Sequence, residues 1–356
     1  MEGRTARGRY LLVAQNTRSD GLVASNRQRY SIPRALSVCT VAFALAACGG
    51  TQAPIGGPGA MPLSRVIATH AERGAVPSYL YVADASAQQP AIIAFDAAGN
   101  KVAEKTFKSG GPVDVVTDSR GHVYAIVYNK SYDSSVFEYT HNLDRTIAEY
   151  HPPNSSTTMT IDAADNLYVQ SESSGGLQEN IVRYRYGSTK VDHTYHIVTG
   201  PTNEMLGISV RGNTLYTLIA AYTLGDQVVQ CDIKGAKLCQ YYNATISGLC
   251  GFTTAHRDYV YAPKITGDDR VAYNPIGKPF NTYSHSMRLP DGYRFNALGG
   301  CIFHSYGSDV WVTLQGDSKP AEAAEIDFRR KVVKRTIGAG FLVAPNAAYY
   351  GNGFRR

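Results

Sequence analysis

The side chains in this sequence placed to do chemistry are hard oxygen donors, amides and one imidazole: Asp114, Asn129, Asn203, Glu204, Asn296, His304 and Asn346. Such groups orient a polar ligand or hold an ion that prefers oxygen. They belong to no dense catalytic motif. The chain has no G-x-S-x-G elbow, no H-E-x-x-H, no P-loop and no Rossmann glycine fingerprint. His193 and His196 stand three apart on a predicted strand and so face opposite sides. Asp162-Ala163-Ala164-Asp165-Asn166 lacks the later ligands of an EF-hand loop and reads as a turn. The balance leans away from an enzyme.

What positions these residues is a repeat. Six segments share an apolar-aromatic core: YLYVAD, HVYAIV, NLYVQS, TLYTLI, YVYAPK and VWVTLQ, anchored on Tyr81, Tyr124, Tyr168, Tyr216, Tyr261 and Trp311. The anchors are 43, 44, 48, 45 and 50 residues apart, the period of a four-stranded propeller blade. The apolar runs are short, β-branched or aromatic, and bounded by Gly, Asp and Asn, which excludes a helical solenoid. In one full unit the strands run 114–117, 122–128, 135–140 and 145–150, with a turn at Asp118-Ser119-Arg120-Gly121 and a hairpin at His141-Asn142-Leu143-Asp144.

The ends of the array predict closure. Nothing strand-like precedes Tyr79, while a surplus apolar segment, 341–351, follows the last copy. A ring needs this if its last strand completes its first blade. The expected fold is all-β: a six-bladed β-propeller of four-stranded blades, closed by the C-terminal strand. The candidate residues then fall on first strands and blade-joining loops, at the rim of the central channel.

Ahead of the predicted ring (77–356), the segment 1–47 reads as a leader and signal peptide. Arg27, Arg29 and Arg34 precede an apolar stretch and Leu45-Ala46-Ala47-Cys48-Gly49. That pentapeptide resembles a bacterial lipobox, which implies that Cys48 carries the lipid and that the protein is exported and anchored in the cell envelope. Residues 48–76 shift to Gly, Pro, Ala and Ser and read as a flexible tether. Removing the first 47 residues leaves 28 Lys and Arg against 27 Asp and Glu. The basic balance therefore belongs to the leader, and a nucleic-acid partner is not expected. The basic run at 329–335 reads as a solvated outer edge.

Four cysteines remain: Cys231, Cys239, Cys250 and Cys301. Three pairings are possible. Register favours Cys231 with Cys239, which flank one hairpin turn, and Cys250 with Cys301, at equivalent places on neighbouring first strands. Four free thiols are the alternative.

The pattern Gly-His-Val-Tyr-Ala or Asp-Asn-Leu-Tyr-Val after an apolar-Asp turn resembles NHL-repeat and gluconolactonase-like six-bladed propellers, over about 78–353. Hydrolases and lyases of that superfamily often hold calcium in the channel with carboxylates and asparagines, so the resemblance implies Asp114 and Glu204 as calcium ligands. Against it, Thr158, Leu249, Ala297 and Ala347 occupy the place equivalent to Asp114 in other repeats. The leading expectation is a monomeric binding module for a protein, glycan or small ligand, needing no cofactor. The alternatives are a calcium-dependent enzyme of the gluconolactonase or lyase type and a structural envelope protein.

Overall fold

A computed structural model describes residues 78–351 apart from 87, 130, 132, 173–177, 200–202, 222–226, 235–238, 244–252, 256–258, 265–269, 276–285, 290–292, 296–303, 307–308, 317–319 and 328–329. It is an all-β propeller whose described elements are antiparallel strands. The first sheet takes β1 (Tyr79–Asp84), β2 (Ala91–Phe95) and β3 (Lys101–Thr106). The second has β4 (Gly111–Thr117), β5 (Val123–Tyr128), β6 (Ser134–Tyr139) and β7 (Thr146–Tyr150), each within a few residues of the boundary expected from the repeat. The third has β8 (Met159–Ile161), β9 (Leu167–Ser171), β10 (Gln178–Tyr184) and β11 (Val191–Val198). The fourth has β12 (Asn203–Arg211), β13 (Thr214–Ala221), β14 (Gln227–Asp232) and β15 (Gln240–Asn243). The fifth has β16 (Thr253–Ala255), β17 (Tyr259–Lys264), β18 (Arg270–Pro275) and β19 (Ser286–Arg288). The remaining sheet is built from β20 (Tyr293–Phe295), β21 (His304–Tyr306), β22 (Asp309–Gly316), β23 (Ala321–Asp327) and β24 (Val332–Leu342). Last comes β25 (Pro345–Gly351), which pairs with β1 from Tyr79↔Gly351 to Asp84↔Pro345 and gives the first sheet its fourth strand.

The count of regular four-stranded blades is five, which corrects the expected six. The exception is the β20–β24 sheet, which has five strands. Two short strands share its inner edge: β20 pairs with the end of β22, from Tyr293↔Gly316, and β21 with its start, from His304↔Trp311. The segment that separates them, 296–303, contains Gly299 and Gly300.

The core lies between sheets rather than within them. Along β1, Leu80 and Val82 pack with Trp311, Ala323 and Ile337 of the β20–β24 sheet, while Tyr81 and Ala83 pack with Val123, Ala125 and Tyr139 of the second sheet. On β5, Tyr124 and Ile126 join Leu167 and Val169 of the third. Next along, Tyr168 and Ile181 meet Met205, Leu215 and Ile219 of the fourth. Strands β1, β2, β5 and β9 are therefore buried on both faces, which is why their sequences are continuous apolar runs rather than alternations, while the outer strands β3, β7 and β11 are largely exposed. The anchor aromatics span these seams. For example, the Tyr81 hydroxyl donates to the His141 carbonyl, 2.6 Å away in the hairpin of the next sheet.

Lys334 and Arg335 lie on β24, the outer edge of its sheet, and also close on Glu325 of β23, each at 2.6 Å. Arg335 also lies over the Trp311 ring and donates to the Ala97 carbonyl at 2.8 Å. Cys231 and Cys239 form the expected disulfide. Cys48, Cys250, Cys301 and the leader lie outside the described residues.

Trp311 is 1 % exposed and faces the first sheet, so it reads the closing seam. Trp311→Ala is expected to destabilise the protein by about 3–5 kcal/mol in urea titration. A loss under about 1 kcal/mol would place that side chain at an open edge instead.

Candidate functional site

Strand direction alternates within each blade, which sorts the loops to two ends of the ring. One end carries the starts of β4, β8, β12 and β25 and the connections 129–133, 151–158 and 172–177. Tight turns such as 118–122 and 162–166 occupy the other.

At the loop-bearing end, several inner strands carry a bulge. Register shifts occur between Pro112 and Asp114, between Met205 and Gly207, and opposite Ala83 and Asp84, where Pro345 and Ala347 are the partners. Val113, Leu206 and Asn346 are the extra residues. Periodicity alone gives no signal for a single inserted residue.

The bulges change the reading of the candidate carboxylates. Asp114 pairs with Ile126, and the equivalent residue of the fourth sheet, opposite Leu218, is Gly207 rather than Glu204. Glu204 pairs with Ala220, closer to the strand start, and Asn203 with Ala221. The two carboxylates are thus offset in register. Asp114 is fully buried, and its carboxylate joins two blades: Oδ1 accepts from the Val115 N–H and Oδ2 from the Met159 N–H, both at 2.7 Å.

Asn129 is exposed and organises its own loop, its Oδ1 accepting from the N–H groups of Ser131 (2.8 Å) and Asp133 (3.1 Å). Asn346 is buried, and its carbonyl accepts from Thr313 Oγ1 at 3.2 Å. His304 pairs with Trp311 on β21 through the backbone. Asn296 and the side chains of Asn203, Glu204 and His304 lie outside what is described.

Two polar groupings here were not singled out by sequence. The first spans blades two and three around Tyr128. Ser155 Oγ donates to its hydroxyl at 3.2 Å, the Ser156 N–H donates to Ser134 Oγ at 2.8 Å, and Asn154 Nδ2 donates to Ser171 Oγ at 3.4 Å. Asn154 is exposed, Tyr128, Ser134 and Ser155 are half-buried, and burial raises the Tyr128 pKa. Deeper, Gln170 and Glu179 join blades three and four. Gln170 Nε2 donates to Glu179 Oε2 (2.8 Å) and the Met205 carbonyl (3.1 Å), and Glu179 Oε1 accepts from the Met205 N–H (2.9 Å).

The opposite end holds a second cluster. Asp118 closes the β4–β5 turn, accepting from the N–H groups of Arg120 and His122 at 2.9 and 2.8 Å. His122 Nδ1 lies 2.8 Å from Glu138 Oε1 and 3.3 Å from Asp118 Oδ2. Asp118 first and Glu138 second push the His122 pKa up to about 9, against the opposing effect of burial. Glu138 Oε2 accepts the Tyr150 hydroxyl at 2.7 Å. The equivalent turn in the third blade, Asp162 with Asn166, forms by the same backbone hydrogen bonds, with Asn166 Nδ2 donating to Asp162 Oδ2 at 2.9 Å.

The chain matches no family profile, and no curated protein matches it in sequence. Its structure is similar to a protein of unknown function from Bacteroides caccae (TM-score 0.55, 13 % identity, 79 % of this chain and 100 % of that one). It is also similar to a chain of a nidogen/laminin complex (TM-score 0.53, 10 % identity, 78 % of this chain and 100 % of that one). At these identities the likeness shows the propeller fold alone.

Removing the Asp114 carboxylate leaves the buried Met159 and Val115 N–H groups without that acceptor. Asp114→Ala is therefore expected to destabilise by about 1–3 kcal/mol in urea, with or without calcium. A destabilisation seen only in calcium-loaded protein would make Asp114 a ligand rather than a clamp.

Proposed function

We propose that this chain is an exported binding module, tethered to a bacterial cell envelope through lipidated Cys48 and the segment 48–76. Its ring takes a neutral, hydroxyl-rich ligand of the glycan class at the loop-bearing end of blades two and three. In this reading the β20–β24 sheet, with its split inner strand, serves as a sixth blade.

The observation that carries the proposal is the grouping around Tyr128. A half-buried aromatic ring takes a hydrogen bond from the Ser155 hydroxyl and has Ser134 as its cross-strand neighbour, and the adjoining loop offers the exposed Asn154 amide, itself bonded to the buried Ser171. A tyrosine offers a sugar an apolar face with a polar edge, and short hydroxyl and amide side chains exchange hydrogen bonds with its alcohols at little entropic cost. The near balance of acids and bases after residue 47 fits an uncharged ligand better than a phosphate-rich one. The architecture also suits recognition, because a ring with its cores at the seams presents loops from a rigid base.

The test is a glycan array probed with the mature protein and with Tyr128→Ala and Asn154→Ala. The wild type is expected to select a small set of neutral glycans, and each substitution to weaken that binding at least tenfold, about 1.4 kcal/mol. Absence of glycan binding by the wild type, or equal binding by all three proteins, overturns the reading. Mass spectrometry of the mature N-terminus tests the tether separately, and an unmodified Cys48 removes it.

A further inference from the structure

We propose that Asp118, His122 and Glu138 form a binding site for a divalent transition ion of the zinc type, at the turn-bearing end of the second blade. The site is independent of the glycan reading, which concerns the opposite end of the ring.

Three observations carry it. The first is donor geometry. One ligand atom from each side chain falls within 4.8 Å of the others, Nδ1 being 2.8 Å from Glu138 Oε1 and 3.3 Å from Asp118 Oδ2. An ion about 2.0–2.1 Å from each atom would subtend angles of about 85° and about 105° across those two separations, within the range of four- to six-coordinate sites. His122 Nδ1 is itself buried and makes no directional hydrogen bond, although two carboxylate oxygens stand beside it.

The second observation is that the ligands are already oriented. Asp118 is held through Oδ1 by two backbone N–H groups, which leaves Oδ2 turned toward the imidazole. Glu138 is held through Oε2 by the Tyr150 hydroxyl, which leaves Oε1 turned the same way. Such outer hydrogen bonds fix the direction of ligand atoms in metal sites. The Asp118 and Glu138 side chains are 0 and 8 % exposed and that of His122 is 29 %, so an ion reaches them past the imidazole edge.

The third is the internal control that the repeat supplies. The third-blade turn needs only Asp162 and Asn166 to close, and the strand position matching Glu138, opposite the anchor tyrosine, is Arg183. Turn formation therefore explains Asp118 but neither His122 nor Glu138. In the β20–β24 sheet the matching residue is Glu325, which Lys334 and Arg335 neutralise, whereas Glu138 pairs with His122 and accepts from Tyr150, with the Tyr124 side chain beside it. Two carboxylates and an imidazolium carry a net charge of −1. Two carboxylates, a neutral imidazole and a divalent ion carry none. Binding thus exchanges the imidazolium proton for the ion and leaves a neutral buried cluster. An imidazole among the ligands favours zinc over calcium, which takes oxygen donors, and three protein ligands leave at least one position for water or a further ligand.

The test uses the full chain, stripped with chelator and dialysed against micromolar zinc chloride, with bound metal counted by elemental mass spectrometry. His122→Asn copies the third-blade turn and Glu138→Gln keeps an acceptor for Tyr150, so both variants are expected to fold, as checked by circular dichroism. The wild type is expected to hold one more zinc per chain than either variant, and a 100-fold excess of zinc over Kd to raise its Tm by about 5 °C, with no such shift in the variants. Equal zinc content in wild type and His122→Asn, which would put any bound ion elsewhere, overturns the proposal. So does a wild type that binds no zinc below about 100 µM, or one in which calcium gives the same shift as zinc.

Discussion

Among the described residues, the hydrophobic core lies between sheets and not inside any one of them. Every described hydrophobic cluster joins two neighbouring sheets, so each blade is stable only with a partner on both faces. The chain resolves the problem of its own ends in the first sheet. β25 returns to hydrogen-bond with β1, and β1 then packs outward on both sides, toward the β20–β24 sheet and toward the second blade. Side-chain size follows the same demand. Ala347, Ala348, Ala83 and Ala125 fill positions on the two innermost strands, and Tyr81 and Tyr124, on the same strands as Ala83 and Ala125, reach across the seams. Where inner strands meet, room for a side chain runs out: a Cβ on Gly351 would stand 1.8 Å from Thr117 Oγ1.

Bulges at the starts of inner strands bring a second demand. An inserted residue breaks the ladder and leaves backbone groups that still require partners. Buried carboxylates supply acceptors nearby. Asp84 accepts from the Val343 and Ala344 N–H groups at 2.7 and 3.0 Å, just before the irregularity in β25. Glu179 accepts from the Met205 N–H at the irregularity in β12, and Asp114, beside its own, accepts from Met159 of the next blade. These acids at the loop-bearing end all serve as backbone acceptors.

Legibility followed periodicity. The anchors Tyr81, Tyr124 and Tyr168 and the hairpins after Asp96 and Thr140 are written in apolar runs and turn residues, and the second blade matches its expected strands closely. The closing strand was legible because a surplus segment at one end answered a missing strand at the other. The pairing of both β20 and β21 with β22 was not, since neither three-residue strand carries a periodic signal of its own. Nor was the offset between Asp114 and Glu204, because one inserted residue in β12 moves register without altering composition. The grouping around Tyr128 stayed hidden for another reason. Its members come from β5, β6, β9 and the loop that joins two blades, and no spacing rule links Tyr128 to Ser155 or Asn154 to Ser171.

The second and third blades show how far one turn can be altered without losing its form. Asp118 and Asp162 sit at the same step, each accepts two backbone N–H groups, and each lies beside the hydroxyl of its anchor tyrosine, Tyr124 at 3.5 Å and Tyr168 at 3.0 Å. Around that shared frame the charges are reversed. Arg183 pairs with Asp192 and reaches the same Tyr168 hydroxyl that Asp162 accepts, whereas Glu138 adds a second carboxylate beside Asp118 and leaves His122 to offset both. A buried carboxylate that gains a like-charged neighbour is destabilised unless a cation answers it. The third blade places at the position of Glu138 a guanidinium, paired with Asp192. Blade two answers with an imidazole, whose positive charge depends on a proton. Because the frame is common to both turns, the difference between them isolates charge from geometry: the fold specifies the aspartate, and the residues around it decide what kind of cation it meets.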